Sequence, residues 1–150
     1  MSYTVYALLA ALAASLGTIF AKIGLKDVDA NLLTALRGIV MALIVTVAAL
    51  SFGKLTGEGM SSLSGKQWLF IILSGAGGAL SWILFYHALS AGPVVTVTVI
   101  DKLSILFTAL LAFIILAERV SVQALVGLAL IGFGSLLVAF PVEKLLAFFK

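Results

Sequence analysis

The sequence has no cysteine and a single histidine, His87. The first absence excludes disulfides, thiol chemistry and thiolate metal sites; the second leaves one imidazole, which builds no metal centre by itself. Charge is also scarce. Only 10% of the 150 residues are charged, against about 25% in soluble domains, too few to coat a globule of this size. A soluble single domain and a disordered chain are both excluded. The net charge is +3, yet the nine Lys and Arg stand singly between apolar stretches. With no basic run and no interleaved aromatics, nucleic acid is not expected as a partner. There is no paired carboxylate, no nucleophile–base set and no phosphate loop. The chain is therefore read as a non-enzyme with no catalytic residue, no metal and no cofactor.

What the sequence has in abundance is apolar surface, 63% of residues with a mean hydropathy of +1.30. A transmembrane helix needs roughly 20 mostly apolar residues, and five stretches qualify: 4–21, 32–52, 68–90, 94–116 and 122–140. Their continuity favours helices over barrel strands, which would alternate over about ten residues. The fold class that follows is an all-α integral membrane protein with five transmembrane helices, residues 1–150 forming a single five-span domain in the lipid bilayer. Ala11-Leu12-Ala13 imitates a signal-peptide cleavage site, but no Lys or Arg precedes it and the apolar run continues past it, so span 1 is expected to stay. Asp29 or Asn31 is a candidate cap for span 2. Segment 51–65 is rich in Gly and Ser and reads as the longest flexible link. Gly92-Pro93 stops span 3, Pro141 closes span 5, and the tail 142–150, with Leu145, Leu146, Phe148 and Phe149, is expected along the interface.

An odd number of spans puts the termini on opposite faces. One face then carries Lys54, Lys66 and Arg119, the other Lys22, Lys26, Lys144 and Lys150. Three against four is no bias, so the positive-inside rule does not orient the chain. One reading is that orientation is unpredictable; the sharper one is that both orientations are made and pair antiparallel as a homodimer.

Small residues let helices approach closely in lipid. Ala10, Ala14, Gly17 and Ala21 lie along one face of span 1, continued by Gly24, and Gly77 and Gly78 on span 3 and Gly127 and Gly134 on span 5 are read as packing positions too. Ser74, Gly77, Gly78 and Ser81 form a stripe that ends in Trp82, Tyr86 and His87, which suits a solute path as well as a packed seam. All but three charged residues lie outside the spans. The exceptions are Arg37, about 8 Å into span 2, and Asp101 with Lys102, about 10 Å into span 4 at 1.5 Å per residue. With Lys22 and His87 they share one half of the membrane. Ionisable groups in hydrocarbon cost roughly 3 kcal/mol or more and face a partner or a cavity. An Arg37–Asp101 pair clamping spans 2 and 4 is the structural alternative to a pathway role. Asp101, Ser104 and Thr108 share a face of span 4, and Thr98, Lys102 and Ile105 share the next. The excess of Arg37, Lys22 and Lys102 over Asp101 points to a carboxylate- or phosphate-bearing solute.

These residues also carry a family resemblance. Ala21-Lys22-Ile23-Gly24-Leu25-Lys26 with Ala35-Leu36-Arg37, Ser81-Trp82 with Tyr86-His87-Ala88-Leu89, and Asp101-Lys102-Leu103-Ser104 with Phe107-Thr108-Ala109-Leu110-Leu111-Ala112 and Glu118-Arg119-Val120-Ser121 resemble successive regions of EamA-type drug/metabolite transporters. Gly127-Leu128-Ala129-Leu130-Ile131-Gly132 is similar to their fifth span. The common members have ten spans in two inverted five-span halves, and this chain resembles one half, like the short single-repeat branch. Many long relatives carry a proline where Ile105 stands; without that breaker, span 4 is read as one helix over 94–116. The resemblance implies a multi-pass small-molecule transporter of the cell (inner) membrane, often one that exports metabolites or amino acids. The positive excess among the intramembrane charges adds an anionic or zwitterionic solute, and the near-even Lys/Arg division adds alternating access between two opposed copies. Asp101, Lys102, Arg37, Trp82, Tyr86, His87, Ser81, Ser104 and Lys22 are the candidates for solute binding or coupling. The competing readings are a non-transporting scaffold or accessory subunit and, more distantly, a channel.

Overall fold

The computed structural model describes residues 2–140, and the expected interfacial tail 142–150 lies outside them. All regular structure among the described residues is helical: α1 (Tyr3–Gly24), α2 (Ala30–Ser51), α3 (Gly57–Ser61), α4 (Gly65–Ala91), α5 (Val94–Asp101), α6 (Ser104–Leu116) and α7 (Val122–Ala139). Five segments are long and apolar enough to cross a membrane: α1, α2, α4, the α5–α6 stretch and α7.

Local chemistry sets most of the helix ends. Asp29 Oδ1 accepts from the N–H groups of Asn31 and Leu32 at 2.9 and 3.1 Å, which makes Asp29, rather than Asn31, the N-cap of α2. Ser64 and Gln67 form a reciprocal capping box ahead of α4: Ser64 N–H donates to Gln67 Oε1 at 2.7 Å and Gln67 N–H to Ser64 Oγ at 3.3 Å. Ser121 Oγ caps α7 by accepting from Ala124 N–H. The 51–65 link holds the short helix α3, capped by Thr56. Helix α6 ends on Ala117, whose φ of 52° is left-handed.

The chain divides into two compact units at Ala91/Gly92. In the first, α2 packs on α4, and the few buried residues are Ala21, Leu25, Ala30, Thr34, Tyr86 and Leu89. In the second, α5 and α6 lie against α7, where Gly132 and Ser135 are buried. A β-carbon at Gly132 would stand 3.0 Å from Leu106 Cδ1, so glycine is what permits that approach. Most large apolar side chains point outward, as expected where the solvent is lipid.

The fourth span departs from expectation. It occupies 94–116 but is not one helix: Lys102 and Leu103 separate α5 from α6. Across the gap the i→i−4 ladder gives way to i→i−3 bonds, from Leu103 N–H to Ile100 O (2.9 Å), Ile105 N–H to Lys102 O (3.0 Å) and Leu106 N–H to Leu103 O (3.0 Å). No proline is involved. The seven residues before Asp101 (Val94-Val95-Thr96-Val97-Thr98-Val99-Ile100) are all β-branched, which lose rotamer freedom in a helix, and Asp101 itself disfavours a helix interior.

Candidate functional site

In the first unit, three helices converge on Arg37. Its Cζ lies 5.5 Å from the ring centroid of Trp82 and 5.2 Å from that of Tyr86, two residues one turn apart on α4. On the α1 side, a β-carbon at Gly17 would lie 3.4 Å from Arg37 Nη2. Tyr86 is 2% exposed and Phe85 packs on it edge-on, with centroids 5.3 Å apart. Desolvated cation–π contacts are worth up to about 2 kcal/mol each. Two of them offset the roughly 3 kcal/mol that an arginine costs at this depth, and among the described residues of its own unit no carboxylate pairs with Arg37.

The other first-unit candidates have different employment. Lys22 Nζ donates to the Leu89 carbonyl at 2.5 Å, in the last turn of α4, where carbonyls lack helical partners and a cation complements the dipole. His87 Nδ1 bonds the Ile83 carbonyl at 2.9 Å; a carbonyl only accepts, so Nδ1 carries the hydrogen. Ser81 is exposed on α4. Nothing lies within 4 Å of a β-carbon at Gly77 or Gly78, so their stripe is open. Ala10 and Ala14 are exposed, whereas Ala21 is buried.

The second unit places Asp101 at the end of α5 and Lys102 in the gap. Lys102 Nζ and Asp101 Oδ2 are 3.4 Å apart, with side chains 53% and 36% exposed respectively. Neighbours on an intact helix point about 100° apart and do not face each other; the break relaxes that splay and lets the two charges meet. It also ends the face that a continuous helix would give Asp101 and Ser104. Ser104 and Thr108 still share a turn, Thr108 Oγ1 donating to Ser104 O at 2.9 Å, and both line a groove of about 700 Å³ with Gly127, Glu118 and Arg119. Gly127 and Gly134 have open space where a side chain would start.

One residue escaped the sequence reading of the site. Thr18, Thr34 and Thr108 each bond a carbonyl one turn back in their own helix, the usual way to satisfy a hydroxyl in a helix. Thr98 Oγ1 is buried and has no hydrogen-bond partner among the described residues. It lies one turn before Asp101, and its four-residue spacing to Lys102 is the signal that singles it out in the sequence.

Comparison with known proteins points one way. The model of the EamA-like transporter family matches residues 1–140. A protein of Sinorhizobium sp. described as "Uncharacterized transporter in cobO 3'region" is 32% identical over 138 residues, which cover 92% of this chain and 96% of that protein. No solved structure matches the chain.

Proposed function

The chain belongs to the EamA-like transporter family, and on that premise we propose that it moves a small anionic or zwitterionic metabolite across the cell (inner) membrane as an antiparallel homodimer with alternating access. That it is a multi-pass membrane transporter follows from the family and the five apolar crossings. The finer reading rests chiefly on one observation, the interrupted fourth span with Asp101 and Lys102 at the interruption. Irregular backbone at membrane depth is tolerated only where it is buried in protein or lines a water-filled cavity, and discontinuous helices are where secondary transporters gather solute and coupling ions. A scaffold has no need of such a gap.

Inverted repeats meet around a site near the midplane. A single five-span domain supplies both repeats if two copies insert oppositely, and the three-to-four division of Lys and Arg between the faces imposes no barrier to that. In this scheme Asp101 and Lys102 exchange their mutual ion pair for contacts with solute or coupling ion as access alternates, while Arg37 with Trp82 and Tyr86 supplies a fixed positive anchor in each copy.

The test is flux in proteoliposomes with Asp101→Asn and Lys102→Met. Both variants insert and keep the melting temperature of the parent, because the pair they break is only partly buried and stands where the helix is already interrupted, but flux falls to background. Variants that lose stability and flux together, or a parent that moves nothing across a broad metabolite panel, favour the scaffold.

A further inference from the structure

We infer that Arg37 is the docking point for a carboxylate of the transported solute, and that it selects a group of single negative charge. The inference rests on the transporter reading above and names the part of the solute that is gripped.

A guanidinium carries five N–H donors in one plane and no acceptor. The rings of Trp82 and Tyr86 attract the Arg37 cation at 5.5 and 5.2 Å, but a π face does not replace the lone pairs that an N–H fork takes. Among the described residues of its own unit, no oxygen accepts a hydrogen bond from Arg37; its interaction partners there are the two ring faces alone. The charge is thus held in place while its donors stay available. Gly17 contributes on the α1 side: a methyl there would sit 3.4 Å from Nη2 and cover it, and glycine leaves that edge uncovered.

Charge balance sets the ligand class. A monocarboxylate, or the carboxylate end of a zwitterion, neutralises one guanidinium and matches its fork with two parallel N–H···O bonds. A phosphate dianion at the same place would leave an unmatched charge inside hydrocarbon, which is costly. Lys22 does not make up the difference, since its ammonium is engaged at the Leu89 carbonyl.

The chain has two tryptophans, so Trp68→Phe leaves Trp82 as the sole indole, in direct contact with Arg37. Purified protein with that change, in a neutral maltoside detergent free of phosphate headgroups and at an alkaline pH where inorganic phosphate is a dianion, is titrated with butanoate, butanamide and inorganic phosphate while Trp82 emission is followed. Butanoate should shift the emission saturably, with butanamide and phosphate at least roughly ten-fold weaker. Arg37→Met should abolish the response, and Arg37→Lys, which keeps the charge and loses the fork, should weaken it by about ten-fold. Should Arg37→Met not fold, Arg37→Lys and the butanamide comparison decide. The inference is overturned if wild-type Arg37 gives no response, if butanamide or phosphate matches butanoate, or if Arg37→Met responds like the parent. Flux separates it from the reading beneath it. Transport that survives in Arg37→Met removes the carboxylate site and leaves the transporter standing; a parent that moves no solute removes the transporter, whatever the titration shows.

Discussion

Arg37 and the Asp101–Lys102 pair are both ionised groups within apolar helices, yet the two units hold them differently. Arg37 rests on two aromatic rings of α4 against a glycine of α1, and one of those rings, Tyr86, is buried. Asp101 and Lys102 are partly exposed, stand at a gap in the helix, and follow by one turn a threonine hydroxyl with no partner among the described residues. A charge fixed by packing costs stability when disturbed. On the proposed reading, a charge pair beside a broken helix exchanges partners, and its loss is expected in activity instead. The first unit therefore reads as the anchor and the second as the part that works by rearranging.

The sharpest way to break this contrast is Tyr86→Ala. It removes the ring that supports Arg37 and packs against Phe85, and should lower stability by about 3 kcal/mol, read as thermal unfolding in detergent. A near-neutral result would mean that the first unit is not an anchor. Thr98→Val is the counterpart in the second unit. Replacing a buried hydroxyl without a partner by an isosteric methyl should leave stability unchanged or slightly raised, while flux drops several-fold; unchanged flux would confine Thr98 to packing. Asp29→Ala removes two hydrogen bonds at the start of α2 and should cost about 1 kcal/mol, felt in the unit that carries Arg37. Smallest is Ala117→Gly, which relieves a left-handed alanine at the end of α6 and should gain up to about 1 kcal/mol, with flux unaltered. Loss of flux there would show that the α6–α7 turn takes part in the rearrangement.

The apolar crossings were legible because hydrocarbon thickness alone dictates them, and Asp29 because a cap needs only its own neighbours. The Ser64–Gln67 box was equally local and readable by its spacing, although the glycine-rich link in front of it drew attention to flexibility. The break at Lys102–Leu103 has no proline to mark it: a run of β-branched residues ending in aspartate weakens a helix without any single breaker, and hydropathy does not distinguish β-branched from unbranched apolar residues. The placement of Arg37 over Trp82 and Tyr86, and of Lys22 at the Leu89 carbonyl, depends on how α1, α2 and α4 pack. Sequence spacing selects such residues as candidates and says nothing of who meets whom.

The central claim is that two opposed copies make one transporter, and orientation-locked copies test it most directly. Lysines added to one face force a single orientation, and a second version biased to the other face forces the reverse. Flux in proteoliposomes is then measured for each version alone and for the two together. The account predicts background flux from either version alone and recovery when they are mixed. Full flux from one uniformly oriented version would contradict it.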